Sequence, residues 1–199
     1  MMTPERLQEI YGTPNELPTN KVIDHLDHHC RDFIAASPFV VLATSVGTNL
    51  DVSPKGDPGG FIKVVDDHTM EIPDRPGNNR LDGLYNILKH PKVAVIFLIP
   101  TVGETLRVNG HAEIVEDEAT LKAHAMNGRL PLTVTRVKVE KALSHCGKAP
   151  LRSGLWKPES WPSERPVAGL FEIIRDHAER EAPEMTEAQV TDMYKKSLY

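Results

Sequence analysis

The feature that most constrains the fold is a close succession of β-patterned segments between residues 39 and 143. The stretch 39–44 is nearly continuously apolar and β-branched, as expected for a buried strand. The stretch 105–115 carries apolar or small residues at every second position. Six or seven strands therefore follow one another, with a helical pattern over 79–90 after the fourth. That order favours a small antiparallel barrel with peripheral helices over a doubly wound sheet, in which strands and helices alternate throughout.

Helical patterns flank the strands on both sides. Apolar residues recur at helical spacing from Val22 to Ile34, which predicts a helix over 20–36. Two more amphipathic segments, 170–178 and 186–198, follow a connector rich in Trp and Pro. We predict a single domain in three parts, namely an N-terminal helical segment (1–36) packed on the barrel, the barrel (37–156) and a C-terminal helical extension (157–199). The remaining predicted elements are strands over 50–53, 61–65, 69–72, 92–98 and 132–143 and a helix over 116–126.

Charge and hydropathy exclude several classes of partner. The net charge is −5 and no basic block occurs, which argues against nucleic acid because phosphate backbones require clustered Lys and Arg. The longest apolar run, Val93 to Ile99, is too short to span a bilayer. The two cysteines lie far apart in no paired motif, which suits a reducing compartment. We expect a cytoplasmic protein with neither a nucleic-acid nor a membrane partner.

Two segments carry the residues of an anion site. The first, 51–60, ends a strand and continues into a loop rich in Gly and Pro that contains Lys55. The second, 72–80, opens the predicted helix with Arg75, Asn79 and Arg80. A helix N-terminus offers unpaired N–H groups to a phosphate, and arginine adds charge-assisted hydrogen bonds. The alternatives are a hairpin loop with a solvated Lys and an Asn-capped helix with two solvated arginines.

A third segment, 144–156, ends the last long strand. His145 and Cys146 are adjacent and point to opposite faces of an extended strand, so they do not form a nucleophile and base pair. A Lys and an indole in this segment would suit the edge of a flat aromatic ligand. The His-rich stretch 25–29 reads as a solvated polar helix face, and we predict no metal site there. The single histidines at 111 and 124 carry little information.

Taken together and in order, these segments resemble one known family. The stretches Ser53-Pro-Lys-Gly-Asp, Ile72-Pro-Asp-Arg-Pro-Gly-Asn-Asn-Arg, Leu106-Arg-Val-Asn-Gly-His-Ala and His145-Cys-Gly-Lys look like the pyridoxamine 5'-phosphate oxidase-like, FMN-binding split-barrel family. The branch that they resemble most is that of probable FMN-dependent enzymes. The resemblance covers roughly residues 33–156. It implies an FMN-binding split barrel that forms a homodimer, with FMN in the grooves between subunits.

The resemblance also implies a role for particular residues. Asn79 and Arg80, helped by Arg75, would hold the FMN phosphate. The second subunit would contribute the residues of the third segment, namely Cys146, Lys148 and Trp156. The remaining residues would lie along the ribityl chain and the ring, and they are Ser53, Lys55, Phe61, Ile62, Lys63, Ile72, Pro73, Asp74 and Thr105.

The expected function is FMN-dependent oxidoreduction of an unidentified small molecule, in which the flavin performs the chemistry. No side chain stands out as an obligatory acid or base, so the catalytic residues are unassigned. One alternative is a flavin- or haem-binding carrier or sensor without turnover, for which His145 or Cys146 would be the axial haem ligand. A deazaflavin-dependent reductase is the other alternative.

Overall fold

The computed structural model describes residues 1–13, 16, 20–178, 181 and 183–199. Seven antiparallel strands form one sheet with helices around it, which confirms the predicted mainly β fold class. The strands are β1 (Phe39–Val46), β2 (Asn49–Gly56), β3 (Lys63–Asp66), β4 (Thr69–Asp74), β5 (Lys92–Leu98), β6 (Thr105–Val115) and β7 (Thr133–His145).

The sheet has the strand order β2-β1-β5-β6-β7-β4-β3, so β2 and β3 are its edges. It is not closed by pairing between these edge strands. Two ion pairs instead join the end of β2 to the end of β4. Lys55 meets Asp74, and the Asp57 carboxylate accepts a hydrogen bond from Arg75 Nε at 2.8 Å. Because β2 and β4 stand far apart in the strand order, these contacts show that the sheet curls into a split barrel.

The barrel interior follows the alternation read in the sequence. Leu106, Val108, Gly110 and Ala112 of β6 are all buried, as predicted. A Cβ added to Gly110 would lie 2.0 Å from the carbonyl oxygen of Lys138, at a point where the β6–β7 register shifts. Only glycine permits this approach, since a β-bulge brings the two backbones unusually close.

The described helices lie at the periphery. Their bounds are α1 (Pro4–Tyr11), α2 (His28–Ala36), α3 (Asp82–Lys89), α4 (Glu118–Ala123), α5 (Lys148–Ser153), α6 (Leu170–Ala178) and α7 (Glu187–Lys196), with a 3-10 turn at Pro158–Ser160. Each helix among the described residues is too short or too polar to cross a bilayer. The division of the chain at residues 36 and 156 stays a prediction.

The helix predicted over 20–36 begins later than the sequence pattern indicates. Asp27 caps α2 by accepting a hydrogen bond from the Cys30 amide at 2.8 Å. Before it, the Ile23 amide and carbonyl both bond to Ala142 of β7, at 3.0 and 2.7 Å. Val22, Ile23 and Leu26 have helical spacing, but pairing with β7 decides the conformation at Ile23, and the predicted start is wrong.

The predicted starts of the central helix and of the third strand are also wrong. Asn79 has a left-handed φ of 57° and lies before α3, which begins at Asp82 after Leu81. Phe61 and Ile62 precede β3, whose ladder with β4 begins at Lys63. Both side chains are buried in the core, so their hydrophobicity reflects packing and not membership of the strand.

Candidate functional site

A cleft of about 170 Å³ lies where β2 passes the start of α3. We call it the β2–α3 cleft. Alternate residues of β2 share one face of the strand, and this places Asp51, Ser53 and Lys55 along the same wall. Four of the residues predicted from the sequence meet here, namely Ser53, Lys55, Asp74 and Arg80. The other lining residues are Leu42, Asp51, Val52, Pro54, Asn78, Leu81, Asp82, Gly83 and Leu84.

The first turn of α3 faces this cleft without a side-chain cap. Leu81 occupies the cap position and forms no capping hydrogen bond, while Gly83 and Leu84 of the first turn line the cleft. The opening N–H groups of a helix have no partner within the helix, and the helix dipole adds partial positive charge at this end. This end of the cleft is therefore suited to an anion.

Arg80 is held by a weak, exposed pair. Its guanidinium contacts Asp82 at the surface, where the Arg80 side chain is 79% exposed and that of Asp82 is 51% exposed. The Asp82 carboxylate raises the pKa of Arg80. The Arg80 amide donates to Asn78 Oδ1 at 2.9 Å, which shapes the turn before α3. Exposed ion pairs contribute little, so an anion of higher charge can replace Asp82.

Asp51 brings a carboxylate to the start of α3. A Cβ added to Gly83 would lie 2.7 Å from Asp51 Oδ2, so the carboxylate sits directly against the first turn. Asp51, Asp74 and Asp82 together oppose the two cations of the cleft, Lys55 and Arg80. An anion that binds here would therefore be repelled by these carboxylates unless it displaces one of them from its cation.

Several predicted site residues lie in other regions. Arg75 points to Asp57 and also donates from Nη1 to the His124 carbonyl at 2.9 Å. Lys63 donates to the Ala123 carbonyl at the end of α4. Asn79 is exposed and does not line the β2–α3 cleft. The rest of this group is buried in the barrel and consists of Phe61, Ile62, Ile72, Pro73 and Thr105.

The residues predicted from the third segment form a separate cluster at the end of β7. Trp156 Nε1 donates to the Val102 carbonyl at 2.9 Å, and this bond fixes the segment after α5 on the loop between β5 and β6. Gly103 and Gly147 pack backbone to backbone there, since a Cβ on Gly147 would lie 2.8 Å from Gly103. Cys146 and Lys148 are exposed. Within one chain, this cluster does not line the β2–α3 cleft.

A second polar site lies beneath α4, and the sequence did not reveal it. The registers of four strands align Lys63, Glu71, Arg136 and Glu113 in one row across β3, β4, β7 and β6. We call this row of alternating charges the charge ladder. Glu71 Oε1 accepts from Arg136 Nε at 2.8 Å, and Arg136 Nη1 reaches Glu113 Oε1 at 3.4 Å. Opposite charges that face each other across strands stabilise a sheet.

His124, the residue that ends α4, completes this second site. Its Nε2 lies 3.0 Å from Glu71 Oε2, and the imidazole is almost fully buried. Burial, together with the nearby cations Lys63 and Arg75, lowers the pKa of His124 although Glu71 opposes that shift. The imidazole is therefore neutral at pH 7, with Nε2–H donating to the carboxylate. Nδ1 is buried and has no partner among the described residues.

Two patterns carry information about the missed residues. Asp51 could have been predicted as a cleft residue from the period-two alternation of β2. It lies on the same face of the strand as Ser53 and Lys55, which were already predicted to lie near the ligand. Glu71 is a charged residue between the apolar Met70 and Ile72, which marks the outer face of a strand. No local pattern indicates His124, since its partner stands 53 residues away in the chain.

Comparison with known proteins places the chain in a family. A family model described as pyridoxamine 5'-phosphate oxidase matches residues 26–146. This match covers well over half of the chain and includes all seven strands. The chain belongs to the pyridoxamine 5'-phosphate oxidase family. Membership confirms the resemblance drawn from the sequence motifs. No curated protein matches the chain.

Solved structures show a more distant likeness to this family member. HupZ from Group A Streptococcus is 21% identical, with a TM-score of 0.47 over 59% of this chain and 92% of that chain. The FAD binding protein from Mycobacterium smegmatis is 20% identical, with a TM-score of 0.43 over 62% and 97%. A FAD-binding protein from Mesorhizobium loti is 17% identical, with a TM-score of 0.42 over 62% and 98%. Similarities of this size carry no argument about the function of this chain.

Proposed function

We propose that this protein is an FMN-binding flavoprotein, and that it acts as a homodimeric oxidoreductase on a small molecule. The observation that carries the proposal is the uncapped first turn of α3, which opens on the β2–α3 cleft beside Lys55 and Arg80. Membership of the pyridoxamine 5'-phosphate oxidase family supports a phosphate-bearing ligand at such a site. A bound flavin supplies hydride or electron transfer, and the residues of this chain bind and orient it.

The donors at the cleft fit the phosphate of FMN. Helix N–H groups and an arginine are the groups that bind phosphate best in proteins. Arg80 can exchange Asp82 for phosphate oxygens because its present pair is exposed. Lys55 is less free, since its pair with Asp74 is partly buried. We therefore assign phosphate binding to Arg80 and the first turn of α3, and we assign to Lys55 a fixed position on the wall of the cleft.

The size of the cleft supports the homodimer. At about 170 Å³ it is smaller than typical ligand pockets, which occupy about 300–1,000 Å³. Val52 and Leu81 line the cleft and are exposed, and Leu50, Tyr85 and Leu88 of the same two elements are exposed as well. Exposed apolar side chains on both elements that form the cleft favour an interface there. A second copy of the chain would cover these residues and supply the missing wall of the site.

The first test identifies the cofactor. Protein purified without added cofactor is scanned by absorbance and then denatured, and the released compound is identified. We expect a flavin spectrum and FMN at close to one molecule per chain. A Soret band or a released deazaflavin would contradict the assignment to FMN. Protein that neither carries FMN nor binds it on reconstitution would refute the proposed function.

The second test addresses the site itself. Arg80→Ala removes the exchangeable cation, and charge-assisted hydrogen bonds to phosphate are strong, so we expect FMN affinity to fall about tenfold or more. Arg6→Ala is the matched control, because Arg6 is also an exposed arginine paired with a carboxylate close in sequence. Flavin fluorescence quenching measures both affinities. Equal affinities in the two variants would remove Arg80 from the site.

A further inference from the structure

The buried imidazole of His124 joins α4 to the barrel. Its Nε2–H donates to Glu71, and the carbonyl of the same residue accepts from Arg75 Nη1. Lys63 binds the preceding carbonyl, Ala123. On α4, Thr120 accepts from Arg136 Nη2 at 3.2 Å. The helix is therefore held by polar contacts centred on its last turn, and none of its own residues is buried.

The charges that face the imidazole come from every element packed around it. Lys63 lies on β3, Glu71 on β4, Arg75 just after β4 and Arg136 on β7, with Glu113 of β6 behind Arg136. Glu118 and Lys122 of α4 itself pair with each other at 2.6 Å and are largely exposed. Asp57 pairs with Arg75, so three cations and three carboxylates surround the imidazole and their charges balance. Burial, together with the charges of Lys63 and Arg75, disfavours a further positive charge on His124.

Protonation would also require a new hydrogen-bond acceptor. In the neutral form, Nε2–H donates to Glu71, while Nδ1 carries a lone pair and has no donor facing it in the described parts of the chain. In the imidazolium form both ring nitrogens carry a proton. The proton on Nδ1 would then be buried without a partner, and a buried unpaired donor is strongly destabilising. Release of the last turn of α4 into water is the direct way to solvate it.

We propose that His124 is an acid-sensitive latch, and that its protonation releases the last turn of α4 from the charge ladder. Release also removes the His124 carbonyl from Arg75, leaving that guanidinium bound to Asp57. Arg75 and Asp57 directly follow β4 and β2, whose ends carry Asp74 and Lys55 in the wall of the β2–α3 cleft. The latch therefore adjoins the β2–α3 cleft. Because it opens by protonation of His124, no ligand is needed for its opening.

Amide hydrogen exchange on the intact chain tests this latch directly. The amides of Leu121, His124 and Ala125 serve as reporters, since they donate to the carbonyls of Asp117, Leu121 and Lys122 along α4 and its ends. After correction for intrinsic exchange, we expect their opening equilibrium to rise by about tenfold per pH unit as the pH falls below about 6.5. The amide of Val108, a fully buried residue of β6 with strands paired on both sides, should keep its protection over the same range. Reporter protection that does not change with pH would overturn the proposal.

A pair of variants assigns the effect to one residue. His124→Gln retains an N–H donor for Glu71 but does not titrate, so we expect its reporters to be insensitive to pH. His111→Gln is the matched control, because His111 is exposed on β6 beside Glu140 and does not touch α4. Its reporters should behave as in the wild type. If the reporter amides of His124→Gln still lose protection as the pH falls, as in the wild type, then His124 is not the acid-sensitive group.

The imidazole resonances of the wild type give a measurement that needs no variant. We expect the buried imidazole of His124 to stay neutral until α4 opens. Its protonation should therefore coincide with the loss of protection at the reporter amides. Titration of His124 at the ordinary histidine pKa, with α4 still protected, would overturn the proposal even if His124→Gln failed to fold. Because no flavin takes part in these measurements, their failure is distinguishable from failure of the proposed function.

Discussion

Two groups of ion pairs in this protein differ in how far they are exposed to solvent. In the β2–α3 cleft, Arg80 meets Asp82 at the surface, with exposed fractions of 79% and 51%. Beneath α4, Glu71 pairs with Arg136 and its side chain is 7% exposed, and the neutral His124 against it is 1% exposed. The cleft pair lies beside an uncapped helix start. In the charge ladder, Glu71 has a partner at each of its oxygens.

This difference indicates what each group can do. An exposed pair contributes little to stability, so its members are available to a ligand. A buried carboxylate with two partners cannot be released without leaving charges unpaired, so it positions other elements. Under the proposed function, the same residue types would serve binding at the β2–α3 cleft and attachment of a helix beneath α4.

Removal of a carboxylate should have unequal effects at the two places. Glu71→Ala leaves Arg136 and His124 without their shared acceptor, and we expect it to lower the free energy of unfolding by about 3 kcal/mol. Asp82→Ala, which removes an exposed carboxylate, should change the free energy of unfolding little. Denaturant unfolding measures both. Equal losses would mean that burial does not distinguish the two groups of pairs.

Acid should weaken the buried group selectively. Above pH 6.5, His124 is neutral in both the folded and the unfolded chain and contributes no pH dependence. Below that value the unfolded chain binds the proton first, because burial lowers the pKa of His124 in the folded state. Stability should therefore fall from about pH 6.5 down to the folded pKa and then level off for this group.

Comparison with His124→Gln isolates that contribution, since the other titrating groups are shared. The difference in unfolding free energy between wild type and variant should change below about pH 6.5 and stay constant above it. Urea unfolding across the pH series provides the values. A constant difference at every pH would show that the imidazole does not titrate on unfolding.

The smallest expected effect concerns the carboxylate against the start of α3. Asp51→Asn removes a negative charge beside the assigned phosphate position while keeping the side chain nearly unchanged in size. We expect FMN to bind more tightly, on the order of threefold at low salt, with a smaller gain as salt increases. Weaker binding would instead show that Asp51 supports the helix start more than it repels the ligand.

Strand positions were predictable from the sequence because the relevant pattern is local. Period-two alternation placed β6, and continuous apolar segments placed β1 and β5. The helix over 170–178 was predicted with the bounds that the structure shows for α6. Four of the thirteen residues that line the cleft were predicted as well, namely Ser53, Lys55, Asp74 and Arg80. The family was also predictable, because the order of the motifs along the chain is a property of the sequence.

Local sequence patterns specify the class of fold, the order of strands along the chain and the family. Which charges meet depends on contacts between distant segments. Arg75 looked like a phosphate ligand, but it faces Asp57 and the end of α4. His124 looked uninformative, but it lies against Glu71. Local preferences act over a few residues, whereas these pairs form because the curled sheet brings distant segments together, and burial then sets their chemistry.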